Sequence, residues 1–138
     1  GLHQLRKLHT FQQLRSKIAK KYNQSFLRIS NLEIPTHREN ITHTWFNYPL
    51  RLHLEKIRIN RNTFIEELKK LNIGSSVHFI PIHMHPYYKN KYNFKPEDFP
   101  IAYSEYERII NLPIYPAMSD KDIDDVIEAV INVASQNA

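Results

Sequence analysis

Residues Leu71–Tyr88 read LNIGSSVHFIPIHMHPYY, and the order of residue types in that run sets the architecture around it. Leu71 closes an apolar helical periodicity, and Gly74 follows where a helix C-terminus favours positive φ. Ser75–Ile80 has the composition of a short strand, and Pro81–Lys95 that of an irregular loop crowded with Pro, His and aromatic residues. Upstream, Asn60 is placed to cap a helix over Arg61–Asn72, with Phe64, Leu68 and Leu71 facing inward. Downstream, Asp98–Ile110 is helical, because Pro100 falls in its first turn, where a missing N–H costs little. Leu112–Tyr115, with Pro113 inside it and Pro116 directly after it, is expected to form a third strand or extended segment. Ser119 then caps a last helix whose first turn carries Asp120 and Asp122 at the positive dipole end. Its apolar stripe is Ile123, Val126, Ile127, Val130 and Ala134.

Towards the N-terminus, Leu2, Leu5, Leu8, Phe11, Leu14, Ile18, Tyr22 and Phe26 recur every three or four positions. That spacing predicts an amphipathic helix of about seven turns, with no internal Gly or Pro to break it. Ser30–Asn40, with Pro35 inside it, reads as a loop. Thr42–Leu54 is expected to be extended, with Phe46, Tyr48, Leu50, Leu52 and Leu54 on one face. Pro49 cannot donate to a ladder, so an edge or a bulge is expected there. The sum is a single α/β domain over residues 1–138: a small, mainly antiparallel sheet covered by helices, with a long N-terminal helix.

Composition narrows the function. With 138 residues, 41% hydrophobic and 12% aromatic, the chain is long and apolar enough to bury a core. It has no cysteine, which excludes disulfides, zinc–thiolate sites and a Cys nucleophile. Only Gly1 and Gly74 are glycines, so neither a Walker loop nor a dinucleotide fingerprint can be written. No run approaches the roughly 20 apolar residues of a membrane span, and no signal-peptide pattern opens the chain, so a soluble cytoplasmic protein is expected. The net charge of +5 is concentrated early, at Arg6, Lys7, Arg15, Lys17, Lys20, Lys21 and Arg28. These residues oppose an apolar stripe, as on any solvated helix face, and no nucleic-acid-binding signature accompanies them.

Four blocks in register resemble the DegT/DnrJ/StrS family of pyridoxal-phosphate-dependent sugar aminotransferases. Ser16–Asn23, SKIAKKYN, is similar to that family's RREIAKRY helix, and Trp45–Leu54 to the strand that follows. Ile59–Tyr88 and Glu97–Val130 fit its two later runs, the second including NLPIYPAMSDKDIDDVIEAV at Asn111–Val130. The resemblance covers nearly the whole chain and implies the small C-terminal domain of a fold-type I aminotransferase. The full enzyme would move an amino group from glutamate to a nucleotide-linked keto-sugar, with pyridoxal phosphate as electron sink. It would be a homo-oligomer, with no nucleic-acid or membrane partner. By the same analogy, His78, Phe79, Pro81 and His83 wall the substrate cleft. The Schiff-base lysine, the aspartate that pairs the pyridine nitrogen and an Asn-Tyr-Arg segment would all lie in an N-terminal cofactor domain that these residues do not match. Phe79 also stands where Tyr is common, which removes a hydroxyl. No catalytic, cofactor-binding or metal-ligating residue is therefore expected within this chain, and the chain alone is expected to be inactive and to bind no cofactor. The alternative is a stand-alone, non-catalytic interaction module that inherited the fold.

The residues themselves leave a few sharper readings to weigh. His78, His83 and His85 are candidate metal ligands, since the His-x-His pair at 83 and 85 would present both imidazoles on one face if extended, but no carboxylate pair lies near them in sequence and the chain has no Cys. His83 has the chemistry of a general acid–base, yet no evident partner orients it, and a hydrogen-bonding role in a cleft wall suits it better. Tyr87, Tyr88, Tyr92, Phe94 and Phe99 read as staples holding a loop to its own domain rather than as a stacking platform for a ligand. In the parent architecture the first helix would bridge two domains. Its stripe is thus expected to be partly uncovered, leaving Leu2, Leu5, Leu8 and Phe11 to drive self-association or to fray.

Overall fold

The computed structural model describes residues 1–36, 38 and 40–138. In chain order the elements are α1 (Leu2–Phe26), β1 (Leu32–Glu33), β2 (Tyr48–Leu52), α2 (Arg61–Lys70), α3 (Pro86–Tyr92), α4 (Pro100–Arg108), β3 (Ile109–Leu112) and α5 (Asp120–Gln136). Single 3-10 turns lie at Leu54–Lys56, Ile82–Met84 and Pro96–Asp98. The three strands form one antiparallel sheet in the order β1-β2-β3, with Leu32 opposite Leu52 and Leu50 opposite Ile110. The α/β class, the antiparallel sheet and the long first helix are as the sequence implies.

Alternation divides the sheet into two faces. Tyr48, Leu50 and Leu52 of β2, with Ile110 and Leu112 of β3, turn to the core and are buried. Over them pack Ile18, Ala19, Tyr22 and Phe26 of α1, Phe64 and Leu68 of α2, and Ile123, Val126, Val130 and Val133 of α5. The other parity, Arg51 and Glu33, meets α4 on the opposite face. There Arg51 Nε donates to Glu105 (2.6 Å), Arg108 Nη1 donates to Glu33 (2.6 Å), and Arg108 also holds Glu105. Two arginines and two carboxylates thus bind α4 across two strands.

Pro49 lies in the central strand without a bulge, and of the two expectations for it the edge is the one met, since β1 pairs only with Arg51 and Leu52 and leaves that side of Pro49 open. It sits opposite Asn111, whose N–H and C=O are both exchanged with Ser76 on the far side of β3 (2.8 and 3.2 Å). The Pro49–Asn111 pair is therefore a non-hydrogen-bonded one, and the missing N–H faces the space beyond the two-residue β1, where no ladder exists to break. The extended segment is also shorter than Thr42–Leu54. Trp45 adopts φ 49° and is buried, which shifts the alternation and leaves Phe46 exposed; Leu54, likewise exposed, has already entered a 3-10 turn. Ser30–Asn40 contains β1, which pairs through only two residues.

Three helix ends depart from expectation. Asn72, with φ 62°, makes the left-handed turn at the end of α2, and Gly74 does not. Asn72 N–H donates to Lys69 C=O and Ile73 N–H to Leu68 C=O, both at 2.9 Å, the two bonds of a Schellman end. The buried pair Leu68 and Ile73 supplies its hydrophobic contact, whereas Leu71 points outward. Pro81–Lys95, expected to be irregular, contains α3, which begins on Pro86 at its first position and stops at Asn93 in the left-handed region. Finally, α4 ends at Arg108 and the chain becomes extended at once, so β3 is Ile109–Leu112 rather than Leu112–Tyr115. The Ile109–Ile110 pair has a strand to join, which outweighs continuing the helix.

The start of α5 matches its sequence signature. Ser119 Oγ accepts from Asp122 N–H (3.1 Å) and Asp122 Oδ2 accepts from Ser119 N–H (2.8 Å), a full capping box. Near this same end of α5, α1 is half uncovered, as expected. Among residues 1–14 none is buried, and Leu2, Leu5 and Leu8 are exposed.

Two outcomes follow from this division. Leu50→Ala lowers unfolding stability by about 3 kcal/mol in urea denaturation, whereas Leu5→Ala changes it by no more than about 0.5 kcal/mol. For Glu105, burial opposes the charged form, but the hydrogen bonds from Arg51 and Arg108 outweigh it and hold the carboxyl below its ordinary value. A carboxylate with a lowered folded pKa stabilises above its unfolded value of 4.5 and loses that contribution as pH falls below it. Denaturation midpoints at pH 7 and pH 3.5 therefore differ less for Glu105→Gln than for the wild-type chain.

Candidate functional site

The loop singled out by the sequence leaves α2 through the Schellman end and meets the sheet once, at the Ser76–Asn111 bridge. Ser75–Ile80 is accordingly not a strand: after this single bridge the backbone turns away from β3. His78 is half-buried, with Nε2 3.3 Å from Ser76 Oγ. Its ring lies parallel to Phe79, with centroids 4.6 Å apart and planes within 5°. Phe79 is 76% exposed, and Ile80 and Ile82 beside it are also exposed. Pro81, half-buried, introduces the 3-10 turn Ile82–Met84, and His85 Nε2 closes the loop onto Ile80 C=O at 3.2 Å.

That turn carries His83 inward. Only 7% of His83 is exposed, its ring stacks on Phe99 at 4.5 Å, and its Nε2 is enclosed without a hydrogen-bond partner. The four expected residues therefore split in two. His78 and Phe79 form one stacked unit at the surface; Pro81 and His83 fix its base. His83 and His85 do not share a face, since one ring is buried and the other bonds a backbone carbonyl. Among the described residues no group of three His, Asp or Glu is disposed to hold a metal ion.

An aromatic chain ties the loop to the body. Tyr87 meets Tyr88 (5.1 Å), Tyr88 stacks on Tyr92 (6.5 Å), Tyr92 on Phe94 (5.3 Å), and Phe94 meets Phe99 edge-on (5.1 Å). Phe99 in turn holds His83. The stapling role inferred for these rings is what the contacts describe, and it uses the quadrupole preference for offset and edge-to-face pairs. Lys91 caps the outer end, its ammonium 5.2 Å from the Tyr87 ring centroid and 2.9 Å from the Tyr87 hydroxyl.

Sequence reasoning missed a contact that joins the elements on either side of the loop. Arg61, 5% exposed, lies over the Tyr106 ring at 4.7 Å and reaches Ile109 C=O at 3.4 Å, joining α2, α4 and β3. The signal was present for Arg51, flanked by Leu50 and Leu52, and for Glu105 and Arg108 at helical spacing; only their shared face was hidden. Away from the loop, an open groove of about 560 Å³ runs between Ile73, Tyr115 and Met118 on one side and Asp122, Asp125 and Glu128 of α5 on the other.

Pyridoxal phosphate does not fit the residues present. A Schiff-base lysine must be desolvated or otherwise activated. Among the described residues every lysine is exposed except Lys21, which is engaged by Asp120 at 3.0 Å.

Comparison with known proteins gives a consistent answer. The pattern of the DegT/DnrJ/EryC1/StrS aminotransferase family matches residues 1–131. An uncharacterized protein of Methanocaldococcus jannaschii, MJ1066, is 48% identical over 137 residues, which are 99% of this chain and 36% of that protein. The spore coat polysaccharide biosynthesis protein SpsC of Bacillus subtilis is 45% identical over 134 residues, 96% of this chain and 34% of its own. Among solved structures, the sugar aminotransferase Spr1654 of Streptococcus pneumoniae superposes with a TM-score of 0.87 at 31% identity, covering 99% of this chain and 34% of that one. It is known in apo, pyridoxal-phosphate and pyridoxamine-phosphate forms. PseC of Helicobacter pylori, at 22% identity and a TM-score of 0.86, shares the fold. The chain spans about a third of the length of each of these relatives.

The two halves of the loop separate in a mutational test. His83→Ala removes a buried ring from the Phe99 stack and lowers unfolding stability by about 2 kcal/mol. Phe79→Ala, at a ring already in solvent, leaves the denaturation midpoint unchanged.

Proposed function

The chain belongs to the DegT/DnrJ/EryC1/StrS aminotransferase family, and from that membership we propose that it is the smaller lobe of a sugar aminotransferase, walling the substrate cleft with its 78–83 loop. The reaction proposed for the complete enzyme is transfer of an amino group from glutamate to a nucleotide-linked keto-sugar. Pyridoxal phosphate would supply the electron sink from residues outside this chain. The complete enzyme would be a cytoplasmic homo-oligomer, and among the described residues no helix is long and apolar enough to cross a membrane.

The observation that carries this reading is the stacked His78–Phe79 pair, in which half-buried His78 backs an exposed Phe79 ring close to the buried His83. A large apolar ring held out from a rigid support gains by covering another apolar or sugar surface and by excluding water from it. His78 beside it retains a polar ring edge, through Nε2 and the Ser76 hydroxyl, suited to orienting a sugar hydroxyl or carboxylate. Binding and orientation are the tasks these residues can perform. Neither is asked to form a covalent bond.

The test is a chimera in which this chain replaces the matching third of the Bacillus subtilis relative. Glutamate-dependent amination of a nucleotide keto-sugar is expected in the chimera, and no turnover in the 138-residue chain alone. Phe79→Ala in the chimera raises KM for the sugar about tenfold, a loss of about 1.4 kcal/mol, with kcat nearly unchanged. A chimera that folds and binds cofactor but is indifferent to Phe79→Ala and His78→Ala overturns the cleft-wall assignment. A folded chimera that aminates no nucleotide keto-sugar would count for a non-catalytic module instead.

A further inference from the structure

Arg61 is a buried cation without a counter-ion. Only 5% of it is exposed, and among the described residues it makes no ion pair. Its Nε donates to Asn62 Oδ1 (2.8 Å), Nη1 reaches Ile109 C=O at 3.4 Å, and the guanidinium lies over the Tyr106 ring. Nη2 is neither bonded nor enclosed, so it belongs to the small part of the residue that meets solvent. By contrast Arg51 and Arg108, both less buried, each hold a carboxylate. A buried charge is costly unless it is paired, and a guanidinium with a free donor edge is shaped to take an oxyanion.

The register of β3 brings a second unpaired donor to the same edge. Asn111 and Ser76 exchange both backbone bonds, so their side chains share a face, and a continued ladder would set His78 opposite Ile109. The backbone turns away after Ser76, and Arg61 Nη1 takes the Ile109 C=O that His78 N–H would have used. Asn111 is 6% exposed, and its Nδ2 is enclosed without a partner. Of its neighbours on that face, Pro49 has no polar side-chain atom, and Ser76 Oγ is engaged by His78 Nε2 at 3.3 Å. His78 Nδ1 is likewise enclosed and unpartnered. Asn31, also buried, instead donates Nδ2 to Ala134 C=O (2.9 Å) and so serves the fold. Asn111 is the one polar residue of β3 and a poor strand former, so it costs the fold twice.

We propose that this edge of β3 is an oxyanion site, where Arg61 Nη2 and Asn111 Nδ2 donate to a carboxylate of the amino donor beside His78. The proposal rests on the cleft-wall reading, because the His78–Phe79 loop is what sets this edge in the cleft, and it adds the place where the second substrate is held. One guanidinium balances one carboxylate, whereas a diphosphate would leave charge unmatched. The planar carboxylate also suits the planar fork of the guanidinium. Both residues bind and orient, and neither exchanges a proton with the substrate.

Nuclear magnetic resonance of the nitrogen-15-labelled 138-residue chain reads the site directly. Sodium glutamate is titrated against sodium chloride at equal ionic strength. The Asn111 side-chain NH2 and Arg61 Nε–H resonances are expected to shift saturably with glutamate and not with chloride. Asn111→Leu removes no bond within the chain, so it keeps the fold, and it weakens the glutamate response of Arg61 about tenfold. Arg61→Gln abolishes the response of Asn111. Silence towards glutamate overturns the proposal, as does an equal response to chloride or an Asn111→Leu chain that binds as tightly as wild type. Inorganic phosphate acting where glutamate does not overturns the carboxylate assignment. In the chimera, Asn111→Leu raises KM for glutamate about tenfold and leaves KM for the sugar unchanged. An inactive chimera with the resonance shifts intact keeps the oxyanion site and overturns only the cleft wall. An active chimera whose KM for glutamate ignores Asn111→Leu overturns the oxyanion site alone.

Discussion

The fold depends on two buried phenols that meet where α1 crosses the sheet. The rings of Tyr22 and Tyr48 pack edge-on, with centroids 5.0 Å apart, and each hydroxyl is satisfied by a partner on another element. Tyr22 donates to Pro113 C=O (2.8 Å), just past β3, and Tyr48 donates to Asn23 Oδ1 (2.7 Å) on α1. Burial raises the pKa of both hydroxyls well above the ordinary tyrosine value, so they remain neutral donors throughout the working range of pH. Phe in either place would keep the packing but lose the hydrogen bond that ties α1 to the exit of β3 or to β2, a net cost of about 1 kcal/mol. Phe26 and Trp45 extend the same cluster, so α1, β2 and the exit of β3 are fixed by one set of contacts.

Helices were the legible part of this sequence because their evidence is redundant. Over seven turns, a misplaced residue in α1 is outvoted by the other positions of its stripe, and α5 states its start twice, in Ser119 and in Asp122. Strands offered less. β2 shows three clean alternations at Tyr48, Leu50 and Leu52, but Trp45 in a left-handed conformation breaks the parity just before them, and nothing in the residue type signals this. Asn72 illustrates the same limit. Both Asn72 and Gly74 tolerate positive φ, and the choice fell to the residue that lets Ile73 reach the core beside Leu68. The 75–80 segment has strand composition but only one backbone pair within reach, since its neighbour β3 is itself four residues long.

The candidate site was legible by position and not by geometry. The His78–His83 run is conspicuous in sequence, yet the roles of its two histidines are opposite: one is presented with Phe79, the other is anchored under Phe99. That sorting comes from a 3-10 turn of three residues, too short to leave a periodicity. The buried brace of Arg61 over Tyr106 was likewise invisible, because a lone Arg at a helix start reads as a solvated charge until the aromatic partner is found 45 residues away.

These features separate what the chain needs for its own fold from the surface it leaves open. The core closes completely over the sheet, and Tyr22, Phe26, Tyr48, Leu50, Phe64, Leu68, Ile110 and Val130 have no exposed surface left. The stability they provide is therefore independent of Phe79, Ile80 and Ile82, whose apolar surface remains in water. An exposed aromatic tip on a flexible loop would collapse onto its own domain and gain by doing so. Here the His83–Phe99 stack, the aromatic chain to Tyr87 and the Ile80–His85 bond engage the residues that follow the tip, and Phe79 remains 76% exposed. The apolar surface of the tip is left for whatever closes over it, as the proposed cleft-wall role requires.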